Sequence, residues 1–514
     1  MTPALDFEHD WDPHMAVYPA FQAYVTHAVL RTYASLTGRH GDLSEVYSTD
    51  DQAQAYRIGR GITAAAGTAT VPVMYLASAP IFGPGAAMIS AAIVAVTPIH
   101  VRDSKYVKVE VTATLWVALC ILMLLRIPSG GRPRDYILAG FFCGLAGATH
   151  YPSGGIAISI LVVHFEACRR EGKSIAALLC DPRIYLAAGV SIGTFLCTDP
   201  YFVLDWAQTQ HDFTRIRLVY TLWRTDLPPT DFGWRWLLRA MPASYGFELN
   251  LFLVAATFWS IVRPKTGTYA LLAFVAICLY SLLGGHPQLE FRYLINPLIA
   301  MAIIAGATVA DLMSWVRSRI GPHADYAIAV ALVLLLVPSA VRDVETNRIL
   351  SRTDTRTLAR IWIVNHIPAG ATIVVVNGSS YGRPNLDGRY NLVWVDSALR
   401  LRVALNSAKW VLSNDCPPLY LWSPGLDDDE LELLNSTSQL QFEVASLKSG
   451  YPTPEFDPYD AFYVPFTNIT GMSRPGPRIR IWHVTSPPEP FFGGRTDGNT
   501  LRFREDYLEA LPAT

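Results

Sequence analysis

Residues 97–126 read TPIHVRDSKYVKVEVTATLWVALCILMLLR, and this stretch decides the fold. Its second half is an apolar run, and a helix of about 20 such residues crosses the roughly 30 Å hydrocarbon core of a bilayer. Its first half brings Arg102, Lys105, Lys108 and Glu110 to one end of that helix. The stretch therefore predicts a membrane span that begins in a charged segment.

Similar apolar runs recur along the first two thirds of the chain. Hydrophobic residues make up 51% of the sequence and charged residues only 16%, whereas soluble domains carry about 25% charged residues. We therefore predict a mainly α-helical, polytopic transmembrane bundle of about ten spans: 59–81, 84–101, 108–126, 135–149, 152–168, 184–199, 243–262, 268–284, 292–313 and 326–341. The net charge of -2 gives no indication of a nucleic-acid partner.

Basic residues orient this bundle. Arginine and lysine are concentrated in alternate loops, such as those around Arg132 and Arg169, which the positive-inside rule places in the cytoplasm. Ten spans then put both ends of the chain outside. We predict a multi-pass protein of the plasma membrane with an external segment 1–58, a transmembrane domain 59–341 and an extracytoplasmic domain 342–514.

The two external segments have patterns of their own. Residues 18–38 are amphipathic, which is typical of a helix that lies in the membrane interface. In the C-terminal segment a helical pattern at 353–366 precedes five strand-like runs, which predicts a small α/β domain. These runs are 371–376, 391–396, 408–413, 440–446 and 478–484.

An ordered set of segments carries a family resemblance. The segments are Pro13-His14 with Tyr18-Pro19, RIGRGITAAAGTATVPVMYLASAPIFG (57–83), residues 97–126, THYPSG (149–154), TDPYFVLDW (198–206), EFRYLINP (290–297), DTRTLARIWIVNHIPAG (354–370), DPYDAFYVPF (457–466) and RPGPRIRIW (474–482). Together they resemble the lipid-carrier-dependent, integral-membrane glycosyltransferases of the type-C class, which includes protein O-mannosyltransferases and the aminoarabinose transferase of lipid A.

This resemblance implies a donor sugar linked to a polyprenyl phosphate, membrane lipids as surroundings, and transfer at the outer face to a protein, lipid or glycan acceptor. It also implies acidic residues in external loops, sometimes with a divalent metal cation. In relatives an acidic motif follows a first span that lies upstream of the Pro-His segment, so we expect a further span before Met1. The nearest acids here are Asp6, Glu8, Asp10 and Asp12. Glu110 stands where relatives often carry an aspartate, and His150 stands where lysine is frequent.

Sugar transfer from a lipid phosphate needs a carboxylate that accepts the proton of the acceptor. Glu110 is a catalytic candidate, because an acid inside the first turn of a span is costly unless it is paired or functional. A simple pair with Lys108 at the water boundary is the alternative. Asp10 and Asp12 are further catalytic candidates, for which a solvated polar tail is the alternative.

The departing phosphate needs positive groups that stabilise its charge. The candidates at predicted external ends of spans are Arg102, Lys105, His150 and Arg292. Internal ion pairs are the alternative for the two arginines, Arg102 with Asp103 and Arg292 with Glu290. Since the four candidates come from separate loops but one face, we expect them to lie close together around the donor.

Aromatic and metal-binding residues give weaker signals. Tyr151 and Tyr293 are candidates for lining the substrate, with an aromatic belt at the lipid headgroups as the alternative. The spacing of His9, Asp12 and His14 does not demand a metal, so no metal ligand is assigned.

We therefore predict a polyprenyl-phosphate-sugar-dependent glycosyltransferase that transfers a hexose or pentose. Two alternatives stay open. One is an inactive scaffold of the same fold, because the acidic motif of the relatives is absent from this sequence. The other is a transporter or flippase, which should show charged or broken helices near the middle of the membrane. The polar groups of this chain gather at one face instead.

Overall fold

The structure is a computed structural model that describes residues 4–5, 7, 10–47, 52–222, 233–283, 290–321, 323–376, 382–386, 388–415, 425–452, 454, 456 and 464–488. The chain divides into two compact units, Met1–Arg348 and Ile349–Thr514. The first unit is a helical bundle, and the second contains a mixed sheet with helices. Asp6, Glu8 and His9, which the sequence analysis named, lie outside the described residues.

A helix lies at each of the ten predicted spans. The helices of this part of the chain are α1 (Phe21–Leu36), α2 (Gln52–Val96), α3 (Pro98–Asp103), α4 (Val109–Leu124), α5 (Pro133–Thr149), α6 (Ala157–Arg170), α7 (Pro182–Thr198), α8 (Trp206–Leu222), α9 (Trp234–Tyr245), α10 (Phe247–Val262), α11 (Thr268–Leu283), α12 (Ile295–Ile320) and α13 (His323–Leu350). Short helices lie at Leu43–Val46, Ile175–Leu179 and Tyr201–Leu204, and 3-10 turns at Ile127–Ser129, Tyr151–Ile156 and Phe291–Leu294.

Several of these helices can cross a membrane. Among the described residues, five stretches are long and apolar enough: Gln52–Val96, Tyr151–Arg170, Ile175–Thr198, Phe291–Ile320 and Asp325–His366. The bent pair of α9 and α10 would make a sixth span, while α4 and α11 are apolar but shorter. These helices agree with a membrane-embedded bundle, and the number of ten spans stays a prediction.

The long helix α2 is interrupted at Gly83, between two of the predicted spans. Gly83 has φ 85° and ψ 164°, which lie outside the helical region. Glycine reaches this conformation without the clash that a side chain would cause. Pro84 follows it, and a proline disfavours helical backbone in the residue before it. The local sequence therefore splits one long apolar run into two helices.

The helix α12 lies in the core of the bundle. Every residue from Ile295 to Ala307 is buried. At Gly306 an added side-chain carbon would clash with the Ser90 side chain and the Ala86 carbonyl oxygen of α2. Small residues at such contacts let membrane helices approach closely. This packing holds α12 against α2, and Arg292 lies in the 3-10 turn that directly precedes α12.

The helix α1 lies where the amphipathic pattern predicted a helix, but its buried face is partly polar. Gln22, Thr26 and His27 are buried on this face together with Leu30 and Ala34. Ala28 and Val29, two apolar residues of the amphipathic segment, are exposed instead. The packing of α1 therefore turns polar side chains inward, and its place in the membrane interface stays a prediction.

The second unit contains α14 (Thr355–His366) and five strands, each at a predicted run. The strands are β1 (Thr372–Val376), β2 (Asn391–Val395), β3 (Trp410–Asp415), β4 (Ser438–Val444) and β5 (Arg478–Val484), and their order in the sheet is β2-β1-β3-β5-β4. β1 pairs in parallel with β2 and β3, whereas β5 pairs antiparallel with β3 and β4.

Alternating side chains of β1 build the core on both faces of this sheet. Val374 and Val376 pack in one cluster with residues of α15 (Ala398–Ala404) and α16 (Asp428–Thr437). Ile373 and Val375 pack in another with residues of α14. This is the α/β arrangement predicted from the sequence, and its extracytoplasmic location stays a prediction.

Replacing Gly306 with alanine should destabilise the bundle. The new methyl group would meet Ser90 and the backbone of α2, and such overpacking costs about 1–3 kcal/mol. A lower melting temperature of the purified protein in detergent measures this loss. Gly193→Ala in α7 is the matched control, because nothing lies within 4 Å of its added carbon and alanine favours a helix more than glycine. An unchanged melting temperature for Gly306→Ala would contradict the close packing.

Candidate functional site

A cavity of about 270 Å³ lies where α1 meets the start of α4 and the turn before α12. We call this space the main cavity. Its lining combines alanine, proline and valine side chains with a smaller polar set. The polar residues that border it are Tyr18, Gln22, Thr26, Lys108, Glu110 and Arg292.

Arg292 carries a partly buried positive charge at the main cavity, with its side chain 16% exposed. Its Nε lies 2.8 Å from Oε1 of Glu110, and a terminal nitrogen donates to Oε1 of Glu290 at 2.7 Å. The same nitrogen donates to the Tyr18 hydroxyl at 3.2 Å. A buried charge needs such partners, because removing an ion from water is costly. The predicted phosphate ligand Arg292 thus lies beside the predicted catalytic acid Glu110.

The Arg292–Glu110 pair is held by charge rather than by a hydrogen bond. Although the two atoms are 2.8 Å apart, the Nε–H of Arg292 is not directed at Oε1 of Glu110. Neither atom has another hydrogen-bond partner among the described residues.

Lys108 is a second cation of the main cavity, and it was not among the predicted phosphate ligands. It occupies the residue before α4 and is 3% exposed. Its backbone N–H donates to Oγ1 of Thr63 at 3.4 Å, which attaches this residue to α2. The sequence signal is its position two residues before Glu110. From the sequence, this position suggested only an ion pair between the two residues at the boundary with water.

His150 and Tyr293 lie beside Arg292. The guanidinium carbon of Arg292 lies 5.9 Å from the centre of the Tyr293 ring. The His150 ring stacks on the same tyrosine, with 6.4 Å between ring centres and 19° between planes. His150 is oriented by a hydrogen bond of 2.9 Å between its Nδ1 and Oγ of Ser153. The structure therefore brings two further candidates, His150 and Tyr293, next to Arg292.

Arg102 and Lys105 have other neighbours, and neither belongs to the described lining of the main cavity. Arg102 is buried in α3, with a terminal nitrogen 3.5 Å from Oδ1 of Asp103. Lys105 donates to Oδ1 of Asn347 on α13, and burial lowers the pKa of its amine. Neither cation borders the main cavity, and their phosphate-binding role stays a prediction.

A second cavity, of about 10 Å³, adjoins the main one, since Pro13 and Met15 border both. Its polar residues are Asp12, Tyr151, Tyr201, Asp199, Asp205, Gln208 and Thr209. Asp10 is instead an exposed residue whose carboxylate lies 3.1 Å from Nε2 of His14. The predicted residues Asp12 and Tyr151 therefore share a site that is separate from the Arg292–Glu110 pair.

Asp199 connects α1 to the 3-10 turn before α6. Its Oδ1 accepts the backbone N–H of Ala20 at 3.3 Å, and its Oδ2 accepts the hydroxyl of Tyr151 at 3.5 Å. The residue is 3% exposed. Burial raises the pKa of the Asp199 carboxyl from 3.8 to about 6, because the charged form loses its water.

Metal-ligating side chains meet at one place in the described part of the chain. Ligand atoms of His164, Cys168 and Asp181 lie within 4.8 Å of one another. Lys173 and Arg183 each donate to Oδ2 of Asp181 at 2.7 Å, so two positive charges oppose a dication there. The described acids of the two cavities do not form such a group. A divalent metal cation as cofactor therefore stays a prediction.

Gln22 and Thr26 are two further polar residues of the site that were not predicted from the sequence. Both are buried and border the main cavity. Residues four positions apart share one face of a helix, so these two polar side chains point the same way. The sequence signal is therefore a polar pair at this spacing within an otherwise amphipathic segment.

The sequence comparison supports part of the predicted resemblance. A sequence model of the dolichyl-phosphate-mannose-protein mannosyltransferase family matches residues 54–197. This range contains Lys108, Glu110 and His150, and it ends before Arg292. The match confirms the resemblance to membrane glycosyltransferases of the type-C class within this range. No curated protein matches the sequence.

Three solved structures are similar to the chain at low sequence identity. The crystal structure of the Archaeoglobus fulgidus oligosaccharyltransferase with Zn and sulfate is 12% identical, with a TM-score of 0.43, covering 84% of this chain and 65% of that one. ArnT from Cupriavidus metallidurans bound to undecaprenyl phosphate is 13% identical, with a TM-score of 0.48, covering 92% and 89%. The mycobacterial arabinofuranosyltransferase AftD is 14% identical, with a TM-score of 0.41, covering 91% and 36%. The chain thus spans less than two thirds of the oligosaccharyltransferase.

Replacing Asp199 with asparagine should remove a pH-dependent loss of stability. An acid whose pKa is raised by folding binds its proton more tightly in the folded state, so stability falls as the pH rises from 3.8 to above about 6. A pKa difference of about two units changes the free energy of unfolding by at most about 3 kcal/mol. Melting temperatures of both proteins between pH 4 and pH 8 measure the effect. As the pH increases across this interval, the melting temperature of the variant should rise relative to that of the native protein. A constant difference between the two melting temperatures would contradict the raised pKa of Asp199.

Proposed function

We propose that the protein is a glycosyltransferase that moves a sugar from a polyprenyl-phosphate-linked donor to an acceptor at the outer face of the membrane. The observation that carries this proposal is the main cavity, where Arg292, Lys108 and Glu110 lie together beside apolar helices. Cations suit a phosphate, and a carboxylate suits the proton of an attacking hydroxyl. The family match over residues 54–197 supports the same activity.

Arg292 and Lys108 hold the donor phosphate in this proposal. The planar guanidinium presents a fork of N–H donors that matches phosphate oxygens, and the ammonium adds a compact charge. Both side chains are largely shielded from water. In such surroundings charges interact more strongly than in bulk solvent. His150 and Tyr293 pack beside Arg292 and keep its guanidinium in place.

Glu110 accepts the proton in this proposal. The bond between the anomeric carbon and the phosphate oxygen breaks, and a bond from that carbon to the acceptor oxygen forms. The acceptor hydroxyl gives its proton to Glu110, while the phosphate leaves with both electrons of the broken bond. The phosphate gains one negative charge as Glu110 loses one. Arg292 can then attract the phosphate instead of the glutamate, so the charge of the cavity stays balanced.

Asp12 and Asp10 are the alternative acids. Asp12 borders the second cavity, which adjoins the main one, whereas Asp10 is exposed beside His14. Asp12 is therefore the better alternative of the two. The acceptor, which carries the attacking hydroxyl group, is a protein, a lipid or a glycan.

Arg292→Ala and Glu110→Gln should each reduce sugar transfer by about 10²–10⁴-fold, since each removes a group that acts on the reacting atoms. The measurement is consumption of polyprenyl-phosphate-linked sugars by the purified protein in detergent, with a membrane extract as the source of acceptor. The Asp12→Asn and Asp10→Asn variants, tested in parallel, decide which acid accepts the proton.

Exposed residues of the same types provide matched controls. Glu248 lies in the first turn of α10, as Glu110 does in α4, and Arg263 follows α10. Glu248→Gln and Arg263→Ala should keep full activity. Full activity in Arg292→Ala and Glu110→Gln would remove the proposed site, and no activity in the native protein would favour the inactive scaffold.

A reporter enzyme that is active only outside the cytoplasm should be active when fused after residue 352, between α13 and α14. The expected orientation follows from the basic residues of the alternate loops. Fusion after residue 131, before the basic residues Arg132 and Arg134, is the control and should be inactive. A cytoplasmic signal at residue 352 would contradict transfer at the outer face as proposed.

A further inference from the structure

Gln22 is a buried polar side chain of α1 without a hydrogen-bond partner for its amide. The residue is 4% exposed, and both the amide nitrogen and the amide oxygen lack partners in the described part of the protein. It borders the main cavity together with Arg292, Lys108 and Glu110. Because buried polar groups are nearly always hydrogen-bonded, an unpaired amide beside a cavity points to a ligand that completes it.

The neighbours of Gln22 on α1 do not supply this partner. Thr26, one turn further along, donates its hydroxyl to the backbone carbonyl of Gln22 at 2.8 Å. Ala20 and Ala23 also border the cavity but have no polar side-chain atoms. The last side-chain torsion of glutamine is broad, so the amide can turn toward a ligand at little cost.

We propose that Gln22 binds hydroxyl groups of the sugar that the donor carries and thereby determines which sugar is accepted. This inference rests on the proposed function. An amide offers both N–H donors and a carbonyl acceptor, and neighbouring hydroxyls of a monosaccharide offer the same two kinds of group. A phosphate only accepts hydrogen bonds, and the cations Arg292 and Lys108 match it better.

The size of the main cavity fits one sugar unit. Its volume of about 270 Å³ lies just below the roughly 300–1,000 Å³ of pockets that hold drug-sized ligands. The lipid chain of the donor therefore has to remain outside, and only its sugar and phosphate enter. A site built to hydrogen-bond a hydroxyl strongly rejects an analogue that lacks it. One well-placed amide in a small cavity can thus discriminate between sugars.

The variant Gln22→Met tests this inference, because methionine has a similar length without the amide. The native protein and the variant are purified as full chains in detergent. Their affinities are measured for undecaprenyl phosphate alone and for the same lipid carrying mannose, glucose, galactose or arabinose. We expect the native protein to prefer one sugar-bearing lipid. In Gln22→Met this preference falls by about 10–100-fold, while the affinity for undecaprenyl phosphate is retained.

Two further measurements separate binding from a structural role. Without lipid, Gln22→Met should keep or raise the melting temperature, because it removes an unpaired buried amide. A purely structural glutamine would lower it instead. Gln54→Met is the matched control, since Gln54 lies outside the lining of the main cavity and accepts a hydrogen bond of 3.2 Å from Arg57 at the surface of α2. That variant should keep the sugar preference.

The outcomes distinguish this inference from the proposed function. If the native protein prefers one sugar and Gln22→Met keeps that preference, Gln22 does not determine the sugar, and the proposed function stands. A lower melting temperature with an unchanged preference would assign Gln22 a structural role and overturn the inference in the same way. If the native protein binds none of these lipids, both the inference and the proposed function fail.

Discussion

The arrangement of the main cavity depends on how the partly buried positive charge of Arg292 is compensated. The side chain of Arg292 is only 16% exposed, and an ion withdrawn from water without partners would be strongly unfavourable. Glu290 comes from the same turn, but Glu110 comes from the start of a different helix. The attraction between Arg292 and Glu110 therefore joins the ends of α4 and α12. Because the same two side chains border the main cavity, the requirements of folding and the proposed chemistry involve the same atoms.

Helix packing gives this ion pair a rigid setting. The helix α12 is buried along its first half, and the close approach at Gly306 leaves little freedom for it to slide along α2. Lys108 is attached to α2 through its backbone contact with Thr63. The helix α1 then covers the site with a polar face. Helices that are otherwise apolar thus form a cavity whose lining includes charged and polar side chains.

Local patterns predicted the helices and the strands, because run length and periodicity depend on neighbouring residues only. The break at Gly83 and the five strands of the second unit are examples. The meeting of side chains was harder to predict. Successive residues of a helix point about 100° apart, so tertiary packing decides that Lys108 borders the main cavity while Lys105 contacts Asn347. Gln22 was missed because only the apolar face of its helix was considered.

Arg292 has two acidic neighbours rather than one, and this has an evolutionary consequence. If Glu110 drifted to a neutral residue, the arginine would still be balanced by Glu290, which lies two positions away in the same turn. The bundle could then survive the loss of this carboxylate. A lineage with this arrangement can therefore sample new residues at position 110 without first unfolding, and new activities can arise from a chain that remains intact.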